Sequence, residues 1–118
     1  MTTAELLEWQ WRGYPRYHQS AFNLFLHIAT WPFFVAGNVM TLPFLARGRF
    51  GLAGLALGMS VLAFGLQGLG HKGEANPPEP FTGPKNVLAR VFLEQWVTFP
   101  RFVLTGGWFG ALRRVLAR

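Results

Sequence analysis

The sequence predicts an all-α integral membrane protein, in which a hairpin of two transmembrane helices is accompanied by amphipathic, interfacial helices. Two stretches of the 118-residue chain, 17–46 and 50–71, contain no Asp, Glu, Lys or Arg. Each is at least as long as the about 20 apolar residues that cross a bilayer core as a helix. The alternative, a buried helix pair in a soluble bundle, is disfavoured because so short a soluble domain cannot cover two such helices.

The basic residues flank the apolar stretches, and this distribution is typical of anchors in the lipid headgroup region. The formal net charge is +6. A nucleic-acid partner would require a basic face with aromatic residues between the charges, so we expect none. Basic residues beside the helix ends favour cytoplasmic termini, in the inner membrane if the chain is bacterial. The flanking residues are Arg12, Arg16, Arg47, Arg49, Lys72 and Lys85.

Capping residues and helix breakers divide the chain into five segments of one membrane domain, residues 1–118. Thr2 and Glu5 can form a capping box that opens the first helix. The run of prolines after Asn76 excludes helix. In order, we expect an interfacial helix (1–13), two transmembrane helices (20–46 and 50–73), a proline-rich linker (75–83) and amphipathic helices (84–118).

Polar residues within the two transmembrane helices follow one stripe on each helix. At about 100° per residue, the polar side chains of the first helix all lie near His27: Ser20, Asn23, Thr30, Asn38 and Thr41. Such a stripe either joins helices or lines a substrate groove. On the second helix Gln67, His71 and Glu74 share one face. The opposite face carries Gly51, Gly54, Gly58 and Gly65, which suits packing against another helix or a second copy in a homodimer.

Three histidines are expected to meet at one end of the hairpin. His71 ends the second helix, His27 lies one to two turns inside the first, and His18 precedes it. In one continuous helix His18 and His27 would point about 180° apart, so a shared site requires the helix to begin near Ser20. Together with a carboxylate, Glu74 or Glu94, the imidazoles would suit Fe(II), Mn or Zn. Structural histidines and a haem held by His27 and His71 remain alternatives.

The order and spacing of these residues resemble the 2-hydroxy fatty acid dioxygenase family. Its members are small helical membrane proteins, long catalogued as a domain of unknown function, with a bacterial branch sometimes labelled terpene cyclase/mutase-like. The similar region covers about residues 14–108 and has two motifs. They are Tyr14-x3-His18-x4-Asn23-x3-His27 and Gln67-x2-Gly70-His71-x2-Glu74, the second followed by the proline-rich segment.

The resemblance implies an iron-dependent oxidoreductase of lipid metabolism. Its reaction would be fatty acid α-oxidation, in which a long-chain 2-hydroxy fatty acid and O₂ yield the acid shortened by one carbon. The implied catalytic ligands of Fe(II) are His18, His27, His71 and Glu74, although many members carry the acidic residue one place later. We expect substrate contacts from Asn23, Thr30, Gln67, Lys72 and Arg101, with Lys72, Arg16 or Arg101 pairing the carboxylate. The alternative function is a non-enzymatic membrane scaffold.

Overall fold

The computed structural model describes residues 1–118 as helices with short connections and no β-strand, which confirms the all-helical class. Helix α1 is followed by a 3-10 turn, and helix α4 continues through a π-helical turn into α5. The bounds are α1 Thr3–Gly13, the 3-10 turn Tyr14–Tyr17, α2 Ala21–Ala46, α3 Phe50–Lys72, α4 Pro84–Leu93, the π-helical turn Glu94–Thr98, α5 Phe99–Leu104 and α6 Gly107–Leu116.

The long helices α2 and α3 lie side by side and run in opposite directions. Asn38 Nδ2 donates to Ser60 Oγ at 2.8 Å, and Ser60 Oγ donates to the carbonyl of Phe34 at 2.7 Å. A Cβ atom on Gly37 would collide with Ser60 and with the backbone of Ala56. Gly37 therefore permits the close approach of the two helices, and part of the polar stripe of α2 serves to join them.

Both long helices are long and apolar enough to cross a membrane, and most of their surface is free of protein contacts. Only 17% of the most apolar window of α2, and 28% of that of α3, is buried inside the protein. The central helix of a soluble fold is mostly buried, so these helices show the opposite pattern. Large apolar side chains on the exposed surface include Leu42, Phe50, Leu55, Val61 and Leu62.

Helix α2 begins after His18, as a site containing His18 and His27 requires. Ser20 has extended backbone angles, and its Oγ accepts the backbone N–H of Asn23 at 3.3 Å. The backbone of His18 is also non-helical, with φ −130° and ψ 64°. This break in the helix frees His18 to point towards His27 instead of away from it.

The first of the helices expected over residues 84–118 begins at Pro84 and continues to Leu104 through the π-helical turn. In a π-helix the carbonyl of Gln95 would accept a hydrogen bond from the backbone N–H of residue 100, but Pro100 has no N–H. The indole Nε1 of Trp31 donates to that carbonyl instead, at 2.5 Å. π-helical turns are frequent at functional sites, and this one carries Glu94.

The largest core cluster packs α5 and α6 against the first turns of α2. Trp108 Nε1 donates to the carbonyl of Leu24 at 2.9 Å, which fixes α6 beside α2. The buried members are Tyr14, Leu24, Phe99, Phe102, Trp108 and Ala111. The core therefore lies beside the histidines. It fixes the backbone carbonyls of Tyr14 and Asn23, which accept hydrogen bonds from His18 and His27.

The proline-rich linker is not helical, and Arg90 holds it against α4. The guanidinium of Arg90 donates to the carbonyls of Glu79 and Pro80 at 2.9 and 3.1 Å. The same group lies between the rings of Trp9 and Phe81, 5.0 and 4.4 Å from their centres. Through these hydrogen bonds and ring contacts, the side chain of Arg90 joins the linker to α1 and α4.

Candidate metal centre

His18, His27, His71 and Glu94 come together from four separate segments of the chain. One ligand atom from each lies within 4.8 Å of all the others. The three ring centres are 4.9 to 5.0 Å apart, and His27 Nε2 lies 3.8 Å from a carboxylate oxygen of Glu94. An ion bound at about 2.0–2.1 Å by one nitrogen of each ring would hold the ring centres on the order of 5 Å apart.

Hydrogen bonds set the protonation of two of these rings. His18 Nδ1 lies 2.7 Å from the carbonyl oxygen of Tyr14. His27 Nδ1 lies 3.2 Å from the carbonyl oxygen of Asn23 and 2.9 Å from its side-chain oxygen. Since a carbonyl only accepts, each Nδ1 carries the proton and each Nε2 presents a lone pair. Metal-binding histidines in proteins commonly donate their second nitrogen in this way.

The protein leaves three buried polar atoms without a hydrogen-bond partner, and all three lie in this group or beside it. They are Tyr14 Oη, His18 Nε2 and His27 Nε2. An unpaired buried polar atom costs about 1–3 kcal/mol, so three together need an explanation. A metal ion would satisfy both nitrogens. Imidazoles with one carboxylate and no thiolate suit Fe(II), Mn or Zn, so the residues fit a bound metal.

Burial shifts the pKa values of three groups at this site that lie outside α2 and α3. Burial, with smaller effects of His27 and His71, holds the pKa of His18 well below its usual value. Burial raises the pKa of Glu94 to about 7, against the opposing effects of Tyr14 and Arg90. Burial and the nearby Glu94 raise the pKa of the Tyr14 phenol well above its usual value. The histidine is thus available as a neutral ligand, and Tyr14 remains a proton donor.

Glu74, the carboxylate that the family resemblance implies as a ligand, lies outside this group of four. Its carboxylate accepts the backbone N–H groups of Gln19 and Ser20 at 2.8 and 3.1 Å. It also accepts Asn23 Nδ2 at 2.8 Å. Glu74 therefore caps the start of α2, where the helix dipole favours a negative charge, and Glu94 provides the carboxylate beside His27.

Two residues expected to contact substrate instead support the histidines and the π-helical turn. Asn23 is fully buried, and its amide connects Glu74 to His27, with His71 Nδ1 3.5 Å from its nitrogen. Thr30 donates to the carbonyl of Leu26 at 2.7 Å and accepts Gln67 Nε2 at 3.2 Å. Neither lines the cavity described below. The polar stripe of α2 therefore mainly stabilises the fold, because its side chains form hydrogen bonds with other groups of the protein.

Gln67 has both a structural and a cavity-lining position. It exchanges two amide hydrogen bonds with Gln95, at 3.2 and 2.5 Å, and both residues are buried. The pair joins α3 to the π-helical turn immediately beside Glu94. No motif marks Gln95. Tyr14 opens the first of the two family-like motifs, but the motif does not indicate that its hydroxyl lies unpaired beside the histidines.

A cavity of about 490 Å³ opens beside the four residues, within the roughly 300–1,000 Å³ of small-molecule sites. Lys72 and Arg101, expected to bind a substrate carboxylate, do not line it. Lys72 is exposed at the end of α3, and Arg101 lies over the ring of Trp11, 4.0 Å from its centre. The cationic residues in the lining are Arg12, Arg16 and Arg90, and the apolar part includes Trp9, Phe64 and Val91.

The haem alternative conflicts with this arrangement. The rings of His27 and His71 have centres 5.0 Å apart, and His18 lies 4.9 Å from each. A porphyrin between two axial imidazoles would need the space that His18 fills.

Comparisons with protein-family models, with curated proteins and with solved structures gave no match to this chain.

Proposed function

We propose that this chain is a membrane-embedded, non-haem Fe(II)-dependent dioxygenase of fatty acid α-oxidation. The observation that carries the proposal is the group of three histidines and Glu94 at the wall of a cavity, in which His18 and His27 are buried. The motif resemblance described above supports the same reaction. A substrate of this class is a 2-hydroxy acid, which offers a carboxylate and a hydroxyl on adjacent carbons.

The proposed reaction balances with O₂ as the only co-substrate. R–CHOH–COOH and O₂ give R–COOH, CO₂ and H₂O, so the bond between the first two carbons breaks and the second carbon becomes the new carboxyl group. His18, His27, His71 and Glu94 would hold the ion. A bound Fe(II) supplies the redox chemistry towards O₂, which amino-acid side chains lack.

The chain's own residues would bind and orient the substrate. Arg12 lines the cavity and is free to attract a carboxylate, whereas Arg90 is already engaged by the linker. Tyr14, a protonated phenol whose hydroxyl has no partner, can donate a hydrogen bond to a bound oxygen atom. Trp9 and Phe64 offer apolar contact to the first carbons of the acyl chain.

The membrane part of the proposal is that α2 and α3 form a transmembrane hairpin. Their exposed apolar surfaces support it, because lipid would cover side chains that water would otherwise contact. The amphipathic helices would then lie at the surface on the side of the termini, and the excess of basic residues there favours the cytoplasm.

Turnover tests the enzymatic proposal. Full-length protein in detergent is loaded anaerobically with Fe(II) and mixed with O₂ and 2-hydroxyhexadecanoic acid, with the 3-hydroxy isomer as the control substrate. We expect O₂ uptake and pentadecanoic acid in equal amounts from the 2-hydroxy acid alone. We expect Glu94→Ala to lose this activity, and Glu8→Ala, which removes a carboxylate at an exposed position of α1 outside the cavity, to keep most of it. Iron-loaded, folded protein without turnover of 2-hydroxy acids of any chain length would refute the dioxygenase.

A non-enzymatic scaffold is the second candidate, and the outer face of α3 favours it. A Cβ atom on Gly51, Gly54, Gly58 or Gly65 would contact nothing within 4 Å, so this face has no neighbour in the monomer. In a membrane such a face suits a second copy of the chain or another helix. The scaffold predicts that replacing all three histidines leaves assembly intact, whereas replacing Gly54 and Gly58 by Leu abolishes it.

A further inference from the structure

A second cavity lies on the other side of His18, between the residues that precede α2 and the helix α6. Its volume is about 380 Å³. Three of its eight lining residues are arginines, and none is acidic. The lining consists of Pro15, Arg16, His18, Gln19, Ala111, Arg114, Val115 and Arg118.

The three arginines of this second cavity have almost no partners within the protein. No ion pair involves any of them, since the single one within 4.0 Å joins His27 and Glu94. Arg118 makes one long hydrogen bond, 3.4 Å, to the side chain of Gln19. The guanidinium groups of Arg16 and Arg114 make no hydrogen bond. Three neighbouring positive charges repel one another, so an anion between them would be favourable.

The position of the second cavity indicates where that anion comes from. The cavity borders Gln19, immediately before α2 begins at Ala21. If α2 crosses a membrane, this is the depth of the lipid headgroups in the leaflet on the side of the termini. Trp108 anchors α6 to the carbonyl of Leu24 at 2.9 Å, so Arg114 is held at this depth by a rigid element.

We propose that the second cavity binds the phosphodiester headgroup of an anionic phospholipid. Guanidinium groups match the geometry of phosphate oxygens and form paired, charge-assisted hydrogen bonds with them. Arg114, on α6, and Arg118, two residues beyond the end of α6, approach from one side, while Arg16 approaches from the other. The inference requires membrane insertion of α2 but not the proposed metal or dioxygenase activity.

Native mass spectrometry of the full chain in neutral detergent tests the lipid site. Phosphatidylglycerol is titrated, with phosphatidylcholine and inorganic phosphate as comparison ligands. We expect one saturable phosphatidylglycerol per chain, weak binding of phosphatidylcholine and no displacement by millimolar phosphate. At about 1 kcal/mol per basic residue, the double variant R114Q/R118Q should bind phosphatidylglycerol about 30-fold more weakly.

A charge-matched control separates this site from general attraction to anionic lipid. R47Q/R49Q removes the same charge in the connection between α2 and α3, at the far end of both helices, and should change the affinity less than 2-fold. R114K/R118K keeps the charges but loses the paired hydrogen bonds of the guanidinium groups, so its affinity should lie between those of the unmodified chain and R114Q/R118Q. Unchanged circular dichroism of all three variants excludes loss of folding. Equal weakening by both glutamine pairs, or displacement of the lipid by inorganic phosphate, would overturn the proposal.

Discussion

Replacing Gly70 by Ala should disturb the metal centre without touching a ligand. Gly70 precedes His71 on α3, and a Cβ atom there would collide with the side-chain oxygen of Asn23 and approach its Cα to 3.3 Å. Asn23 holds His27 Nδ1 at 2.9 Å and Glu74 at 2.8 Å. The added methyl group must therefore push α3 away from α2 or turn the amide out of place.

The size of the effect follows from two opposing terms. Overpacking lowers the free energy of unfolding by about 1–3 kcal/mol, whereas the higher helix propensity of Ala raises it by about 1 kcal/mol relative to Gly. The net destabilisation is thus about 0–2 kcal/mol, whereas loss of a hydrogen bond that orients a ligand typically lowers metal affinity about 10–100-fold. Gly70→Ala should therefore fold but bind Fe(II) at least about 10-fold more weakly.

The assay is anaerobic Fe(II) titration together with thermal unfolding of the same preparations. The matched control is Gly65→Ala on the same helix, where a Cβ atom would contact nothing within 4 Å. It should bind metal like the unmodified chain and unfold at the same or a higher temperature. Normal metal affinity in Gly70→Ala would refute the role assigned to Asn23.

Three further predictions follow from the same geometry. Glu94→Gln should lower metal affinity by 10-fold or more. Glu74→Gln should instead lower the free energy of unfolding by about 1 kcal/mol, and with it the unfolding temperature, because the cap of α2 is weakened. Metal titration and calorimetry of both variants separate the two effects. Because burial raises the pKa of Glu94 to about 7, protons compete with the metal below that pH, and affinity should fall about 10-fold from pH 8 to pH 6. A pH-independent affinity over that interval would contradict the carboxylate ligand. Arg90→Met should release the proline-rich linker and accelerate its proteolysis near Phe81, while Arg101→Met, at an exposed stacked arginine, should not.

The histidine group could be anticipated from the sequence because its constraints are local. The depth of His27 and His71 follows from helix length, and the break before α2 follows from the preference of Ser for the N-cap. These rules concern residues close together in the chain, so they needed no knowledge of how the later helices pack.

The choice of carboxylate depended on a long-range contact. Glu74 lies three residues after His71 and matches a family-like spacing, whereas Glu94 reaches the site only through a π-helical turn on another helix. That turn depends on Pro100 and on Trp31, which lie far apart in sequence and meet only in the fold. Short-range patterns carry no information on such a contact, and the same reason applies to Gln95 and to the second cavity.

The close approach of α2 and α3 shows the same limit. The sequence pattern identified the regular glycines of α3 as a face for another helix or a second copy of the chain, and in the monomer those glycines face outwards. The contact instead uses Gly37 and Gly70, which are isolated glycines, together with small residues of α3 such as Ala56 and Ser60. Periodicity identifies a smooth face but not the neighbour that it meets.

The central claim is that His18, His27, His71 and Glu94 hold one metal ion. Its most direct test is the ratio of iron to protein after anaerobic loading and desalting, measured for the unmodified chain and for His18→Ala. His18 is the decisive residue because it precedes α2 and joins the group only through the break at Ser20. We predict a ratio near one for the unmodified chain and near zero for His18→Ala, with both proteins folded by circular dichroism. No retained metal in the folded unmodified chain, or an equal ratio in the two proteins, would contradict the account.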